Sequence, residues 1–170
     1  AQGHTVVALG RDRLDVTNGP QVHAVLAAER PQVVIHCAAY TNVDGAEADP
    51  DAAYALNRDG ARHVAEACHA VGAAMAFIST DYVFDGTADQ PWQPDAPTHP
   101  LGVYGQSKLA GELAVAGALA AHWIVRTSWL YGRGGKNFVD TMRKLAREKE
   151  ELAVVDDQRG SPTWTVDLAE

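Results

Sequence analysis

Short β-branched apolar runs alternating with helix-patterned stretches predict an α/β protein built on a parallel sheet. Three observations carry that reading. Apolar runs of strand length recur at residues 32–37, 74–78 and 123–127. Stretches with helical spacing of apolar residues lie between them. The 170 residues are 46% hydrophobic and 21% charged, the make-up of one folded domain able to bury a core.

Residues 5–9 (Thr-Val-Val-Ala-Leu) suit a short buried strand, and Leu14-Asp15-Val16 a second brief extended piece. Thr17-Asn18 can cap a helix with Pro20 in its first turn; Val22, Val25 and Leu26 follow helical spacing until Pro31 ends it. Residues 32–37 read as a strand covered on both faces. After a loop at 38–50, Asp49-Pro50 opens a helical stretch that buries Ala61, Val64, Ala65, Cys68 and Val71, and Gly72 stops it. A strand at 74–78 leads into a long loop, 79–101, which holds four of the eight prolines; loops of that length are usually functional or disordered. A helix from about Val103 to Ala120 places Leu109, Leu113 and Ala116 on one face. A strand at 123–127 and a glycine-rich turn at 132–135 follow. The helix at 137–149 is expected to bury Phe138, Met142 and Leu145. A strand at 152–155 comes next, and 167–170 looks like the first turn of a further helix.

Charge narrows the function. The chain carries 14 Lys+Arg against 22 Asp+Glu, a net −8 with pI near 5.3, and so has no basic field for nucleic acid or an anionic membrane. No apolar run approaches the roughly 20 residues that span a bilayer, and no signal peptide opens the chain. Cys37 and Cys68 lack C-x-x-C spacing and read as buried thiols in a reducing, cytoplasmic compartment. The seven histidines show no metal-ligand spacing. The chain begins at Ala1 without Met and runs straight into residues 5–9, as a piece of a longer protein would.

Ligands of doubly wound sheets lie beyond the carboxyl ends of the strands. Three such ends carry polar residues: Ala38-Ala39-Tyr40-Thr41, Ser79-Thr80-Asp81-Tyr82 and Thr127-Ser128-Trp129. Beside them, Tyr104 and Lys108 stand four apart at a helix start, on one helix face. A tyrosine of pKa about 10 is a reluctant proton carrier at neutral pH. A lysine cation about 4 Å away in a partly shielded site is worth roughly 4 kcal/mol and would draw that pKa down. The same ammonium could hold a ribose hydroxyl. With the Thr80 hydroxyl at the preceding strand end, the set suits carbonyl reduction; the spacing by itself also fits a surface Tyr beside a solvated Lys.

Ser79-Thr80-Asp81-Tyr82-Val83-Phe84-Asp85-Gly86, followed by Pro100-Leu101-Gly102-Val103-Tyr104-Gly105-Gln106-Ser107-Lys108-Leu109-Ala110-Gly111-Glu112, closely resembles the dTDP-4-dehydrorhamnose reductase family of extended short-chain dehydrogenases/reductases. Cys37-Ala38-Ala39-Tyr40-Thr41-Asn42-Val43-Asp44, Arg126-Thr127-Ser128-Trp129-Leu130-Tyr131 and Asp157-Gln158-Arg159-Gly160-Ser161-Pro162-Thr163 look like further family blocks, so the likeness spans essentially the whole chain. It implies a Rossmann-type doubly wound parallel sheet over residues 1–170, with loops 81–101, 129–137 and 156–170 on the substrate side. It implies NAD(P)H-dependent reduction of the 4-keto group of dTDP-4-dehydro-6-deoxy-L-mannose to dTDP-L-rhamnose. Tyr104 would be the proton donor, Lys108 its electrostatic partner and Thr80 the hydrogen-bond donor to the substrate carbonyl. Asp81 and Trp129 would contact the sugar; Asp15, Val16, Ala39, Tyr40, Thr41, Tyr104 and Lys108 would touch the dinucleotide.

The sequence also departs from that family. Its first strand and glycine-rich turn, whose helix amino end holds the cofactor pyrophosphate, have no counterpart before Thr5. The sheet is therefore expected to be incomplete, with no ladder joining residues 5–16 to 32–37. Gly132-Arg133-Gly134-Gly135 imitates the fingerprint but has Asn137 where a third glycine is needed, and reads as a helix-opening turn. Arg11 stands where an acid would take an NAD ribose, which leans towards NADPH over NADH. A 4,6-dehydratase would need Glu where Tyr82 stands. An epimerase, another deoxysugar 4-ketoreductase and a non-catalytic reductase-like regulatory protein remain alternatives, and a homodimer is left open.

Overall fold

The computed structural model describes residues 3–170, which divide into two compact units: the chain through Val125, and Arg126–Glu170. In the first, α1 (Gly19–Glu29) starts where the Asn18 side chain accepts the Gln21 N–H at 3.1 Å, and ends on Arg30, whose φ of 45° turns the chain out. β1 (Val33–His36) follows. The loop after it contains a helix the sequence did not suggest, α2 (Val43–Ala48), capped by Asn42. α3 (Pro50–Tyr54) begins at Asp49-Pro50 as expected, loosens into a π turn (Ala55–Gly60) and tightens into α4 (Ala61–Val71), which Gly72 closes at φ 75°. β2 (Ala74–Thr80) leads through a 3₁₀ turn (Asp81–Val83) and the long loop to α5 (Val103–Ala118).

β1 and β2 pair in parallel, from Val33 opposite Ala74 to His36 opposite Phe77. The sheet order is β1-β2-β3, with the division between units falling inside β3 (His122–Thr127). α1 packs on α4, and α4 on α5. Val22, Leu26, Val64, Cys68, Met75, Phe77 and Val115 form the core between these helices and the strands. The parallel, Rossmann-type α/β architecture read from the sequence is the one observed.

Several local expectations are corrected. Residues 5–9 are in no strand, Val6 and Val7 are exposed, and residues 11–13 and 16–17 turn rather than extend. β-branched residues favour a pleated surface only where a neighbouring strand takes up their N–H and C=O groups, and β1 ends the sheet instead of pairing with them. β1 is consequently not covered on both faces: Ile35 is 68% exposed, and Cys37, just beyond it, is exposed rather than buried. Cys68 is buried, which pushes its thiol up to about 11.

On α5 the inward face is Gly105, Ser107, Lys108, Gly111, Glu112 and Val115, while Leu113 is 66% exposed. The glycines decide this. A Cβ at Gly111 would strike the Asn57 carbonyl oxygen, and one at Gly105 that of Tyr82, so the helix lies closest to its neighbours along that line.

The second unit holds β4 (Leu130–Tyr131), α6 (Phe138–Glu148), β5 (Thr163–Trp164) and α7 (Thr165–Ala169). β4 pairs with β5 in parallel. Asn137 caps α6 by accepting the Asp140 N–H at 2.9 Å, and its amide donates to the Gly132 and Gly135 carbonyls, which explains why this position is not glycine. α6 has the amphipathic pattern foreseen but buries no residue: Phe138 is exposed, and Met142 and Leu145 are half-buried. Residues 152–155 form no strand. The strand that forms instead, β5, is held by β4.

Candidate active site

The site of the first unit gathers at the carboxyl end of β2. Thr80 ends the strand and caps the 3₁₀ turn: its hydroxyl accepts the Tyr82 N–H at 3.2 Å and donates to the Asp81 carboxylate at 3.2 Å. That hydroxyl also lies beside the Tyr104 phenol, whose pKa it lowers. Tyr82 meets the Tyr104 ring edge-on, centroids 5.5 Å apart. Burial pushes the Tyr104 phenol above its ordinary value; the nearby Thr80 hydroxyl opposes this, and the neighbouring Asp81 and Tyr82 add to it. Burial likewise raises the Asp81 carboxyl, against its bond from Thr80.

Lys108 lies one turn beyond Tyr104 and is only 2% exposed. Its ammonium donates to the Ile78 carbonyl at 2.7 Å and sits 4.1 Å from the centre of the Phe77 ring. Burial lowers its pKa to about 8, with Glu112 and Cys37 opposing. This corrects the electrostatics expected from the spacing: the lysine head is committed to a backbone carbonyl, and desolvation, not the cation, dominates the Tyr104 shift. Tyr104 therefore holds its proton at neutral pH.

Three residues that the sequence reading passed over organise this end of the sheet. Asn57, fully buried on the π turn, accepts the Tyr40 N–H at 2.7 Å and donates to the Tyr40 carbonyl at 3.2 Å and the Ser107 hydroxyl at 2.9 Å. Ser107 in turn donates to the Tyr104 carbonyl at 2.8 Å. The loop after β1 is thus tied to the helix that carries Tyr104. Glu112, 3% exposed, accepts the Ser79 hydroxyl at 2.5 Å, and Glu47 of α2 caps α5 by accepting the Val103 N–H at 2.7 Å. An asparagine inside an apolar helical stretch, poor in helix propensity, was the signal available for Asn57. The two glutamates gave none.

The expected cofactor contacts fall around the same π turn. Ala39 and Tyr40 are half-buried and Thr41 exposed just beyond β1. Val16 packs against Gly60, where a Cβ would lie 2.8 Å from its Cγ2, and its carbonyl meets His63 Nδ1 at 3.0 Å. Asp15 accepts from the Thr17 N–H and hydroxyl, bonds that lower its carboxyl pKa, and the nearby Arg11 charge adds to this. Arg11 is exposed in the preceding turn.

In the second unit, Trp129 is partly exposed, with φ 46°, and packs on Gly160. Ser128 donates to the Ser161 carbonyl at 2.7 Å, and the Thr163 N–H to the Trp129 carbonyl at 3.3 Å.

A parallel sheet flanked by helices, with a hydroxyl, a phenol and a buried lysine at a strand's carboxyl end, defines a Rossmann-type α/β protein. The chain matches the model of the RmlD substrate binding domain over residues 1–170, and it belongs to that family. It is 52% identical over 170 residues to a dTDP-4-dehydrorhamnose reductase of Streptomyces griseus, covering 99% of this chain and 56% of that protein. It is 47% identical to a dTDP-4-keto-6-deoxy-D-glucose reductase of Streptomyces niveus, covering 97% and 58%. The crystal structure of a dTDP-4-dehydrorhamnose reductase from Bacillus anthracis in complex with NADP superposes with a TM-score of 0.95 at 47% identity, covering 98% of this chain and 60% of that one. The chain thus spans little more than half the length of these relatives.

Proposed function

We propose that the full-length protein containing this chain reduces the 4-keto group of dTDP-4-dehydro-6-deoxy-L-mannose to dTDP-L-rhamnose with NADPH, in the cytoplasm. The observation that carries this reading is the gathering of the Thr80 hydroxyl, the Tyr104 phenol and the buried Lys108 ammonium at the end of β2. The relatives' names and the NADP complex support it.

The residues present suit a dinucleotide. Ala39, Tyr40 and Thr41 are held beyond β1 by Asn57, and the exposed Arg11 guanidinium offers a fork for a 2′-phosphate, which favours NADPH over NADH. The chemistry a bound NADPH supplies is hydride delivery to C4. Tyr104, its phenol kept neutral by burial, gives its proton to the oxygen on which negative charge develops. Thr80 shifts its own hydrogen bond from Asp81 to that oxygen and holds it beside the phenol. Lys108 would reach the cofactor ribose or the phenolate only by releasing the Ile78 carbonyl that holds its ammonium here. Asp81 contacts the sugar.

NADPH oxidation by the full-length protein with this substrate tests the reading. Tyr104→Phe should lower turnover by about 100-fold or more while leaving NADPH affinity nearly intact, as expected for loss of a general acid. A variant keeping more than about a tenth of the turnover would remove Tyr104 from the role. Reduction of the C4 ketone of another 6-deoxy sugar nucleotide is the second reading, favoured by the 47% identity to the Streptomyces niveus protein. Comparing kcat/KM for the two epimeric substrates decides between them.

A further inference from the structure

Three successive residues at the end of β2 meet three successive turns of α5. Thr80 lies beside the Tyr104 phenol, the Ile78 carbonyl takes the Lys108 ammonium at 2.7 Å, and the Ser79 hydroxyl donates to Glu112 at 2.5 Å. Tyr104, Lys108 and Glu112 stand four apart and so share one face of the helix, which Gly105 and Gly111 let close on its neighbours. The third of them is a carboxylate only 3% exposed, and no step of the reaction uses it.

A buried carboxylate is costly unless a cation or several donors satisfy it. Ser79 supplies one donor, at the length of a bond to an ionised acceptor. The cation at hand is Lys108, one turn back on the same face and itself buried. The other titratable groups around the ammonium are poorer counter-ions. His36 on β1 is kept neutral by its own burial, with a pKa of about 4, and the Lys108 charge adds to this. Burial keeps Tyr104 neutral, and Asp81 accepts from Thr80 and acts on Tyr104. Cys37, just beyond β1, supports the Lys108 charge in the same direction as Glu112 but more weakly.

We propose that Glu112 is a positioning residue for the reaction: held by Ser79, its carboxylate is the counter-ion that keeps the Lys108 ammonium charged in its buried seat, one turn from Tyr104. The proposal rests on the reading of Lys108 as the electrostatic partner of Tyr104 and adds what maintains its charge. Without that carboxylate, desolvation favours the neutral amine, which has no field with which to steady the phenolate that Tyr104 becomes.

Glu112→Gln keeps the size of the side chain and an acceptor for Ser79, and removes only the charge. In the full-length protein with lysine isotope-labelled at Cε, the Lys108 signal, assigned by its loss in Lys108→Met, is titrated by NMR. A charge about 6 Å away, at an effective dielectric constant of about 20, predicts that the Lys108 midpoint falls by about one to two pH units in Glu112→Gln. The basic limb of kcat/KM should fall with it. From a Lys108 pKa of about 8, the variant should be about five- to fiftyfold slower at pH 8 and within about twofold at pH 6. Glu112→Asp, which keeps the charge, should restore most of both. An unchanged Lys108 midpoint would overturn the counter-ion, and so would a larger shift in Cys37→Ser than in Glu112→Gln. A shifted midpoint with an unshifted rate profile would uphold the counter-ion and overturn the reading of Lys108 as the partner of Tyr104. If Glu112→Gln fails to fold, adding Lys108→Met, which leaves neither charge unpaired, must restore folding, or the counter-ion is overturned.

Discussion

Replacing Asn57 by leucine, which has similar bulk, removes the amide that joins the π turn to Tyr40 and Ser107. The amide makes three hydrogen bonds: from the Tyr40 N–H, to the Tyr40 carbonyl and to the Ser107 hydroxyl. Ser107 keeps its bond to the Tyr104 carbonyl and so is only partly deprived. The Tyr40 N–H and C=O lose their amide partner in a half-buried loop, at about 1–3 kcal/mol for each group left unsatisfied. A loss of about 2–6 kcal/mol follows, a large share of the 5–15 kcal/mol that holds a typical domain. Urea unfolding of the full-length protein should show a lower midpoint with an unchanged slope. A loss below about 1 kcal/mol would mean that water replaces the amide and that Asn57 does not fasten the Tyr40 loop.

Thr80→Val should lower turnover more than it raises the substrate KM, since its hydroxyl bonds a developing alkoxide more strongly than a ketone; a change confined to KM would make it a ground-state contact. Gly111→Ala places a Cβ on the Asn57 carbonyl and 3.0 Å from Phe77 Cζ, and the overpacking should destabilise by about 1–3 kcal/mol, visible as a lower Tm; an unchanged Tm would mean that α5 can move away freely. Burial holds the pKa of His36 down to about 4 from 6.5, so the unfolded chain takes up this proton first and stability is lost as pH falls from about 6.5 towards 4. Denaturation midpoints from pH 7 to 5 should fall, and His36→Asn should flatten that fall; equal slopes in both proteins would assign it to other groups.

The alternation of strands and helices, the caps at Asn18 and Asp49, and the stop at Gly72 were legible because each is set by a residue and its immediate neighbours. The nearness of Thr80 to Tyr104 was legible for the same reason: one ends a strand and the other opens the helix that follows it. What the sequence could not show depends on partners distant in the chain. Residues 5–9 have strand propensity but no neighbour to pair with. Leu113 belongs to an apolar repeat that lost to a line of glycines, because backbone approach at Gly105 and Gly111 sets the helix roll before any leucine is buried. The Lys108 ammonium was expected to act on the phenol, yet the Ile78 carbonyl, thirty residues away in sequence, receives it. Spacing along a helix gives a shared face. It does not give the direction of a four-carbon side chain.

The π turn sets a limit on how this segment can evolve or be engineered. Bonding from i to i+5 lets it carry a residue more than an α-helix of the same number of turns, and one residue is about 100° of helical phase. That offset lets Asn57 face the Tyr40 loop and Gly60 face Val16 while Val64 and Cys68 reach the core. Deleting a single residue between 55 and 60 would regularise the helix and improve its local bonding, and would rotate everything upstream out of alignment with everything downstream. Point substitutions at exposed Arg58 should therefore be tolerated where a one-residue deletion is not. The long loop at 85–99, with no such phase to keep, should accept changes of length.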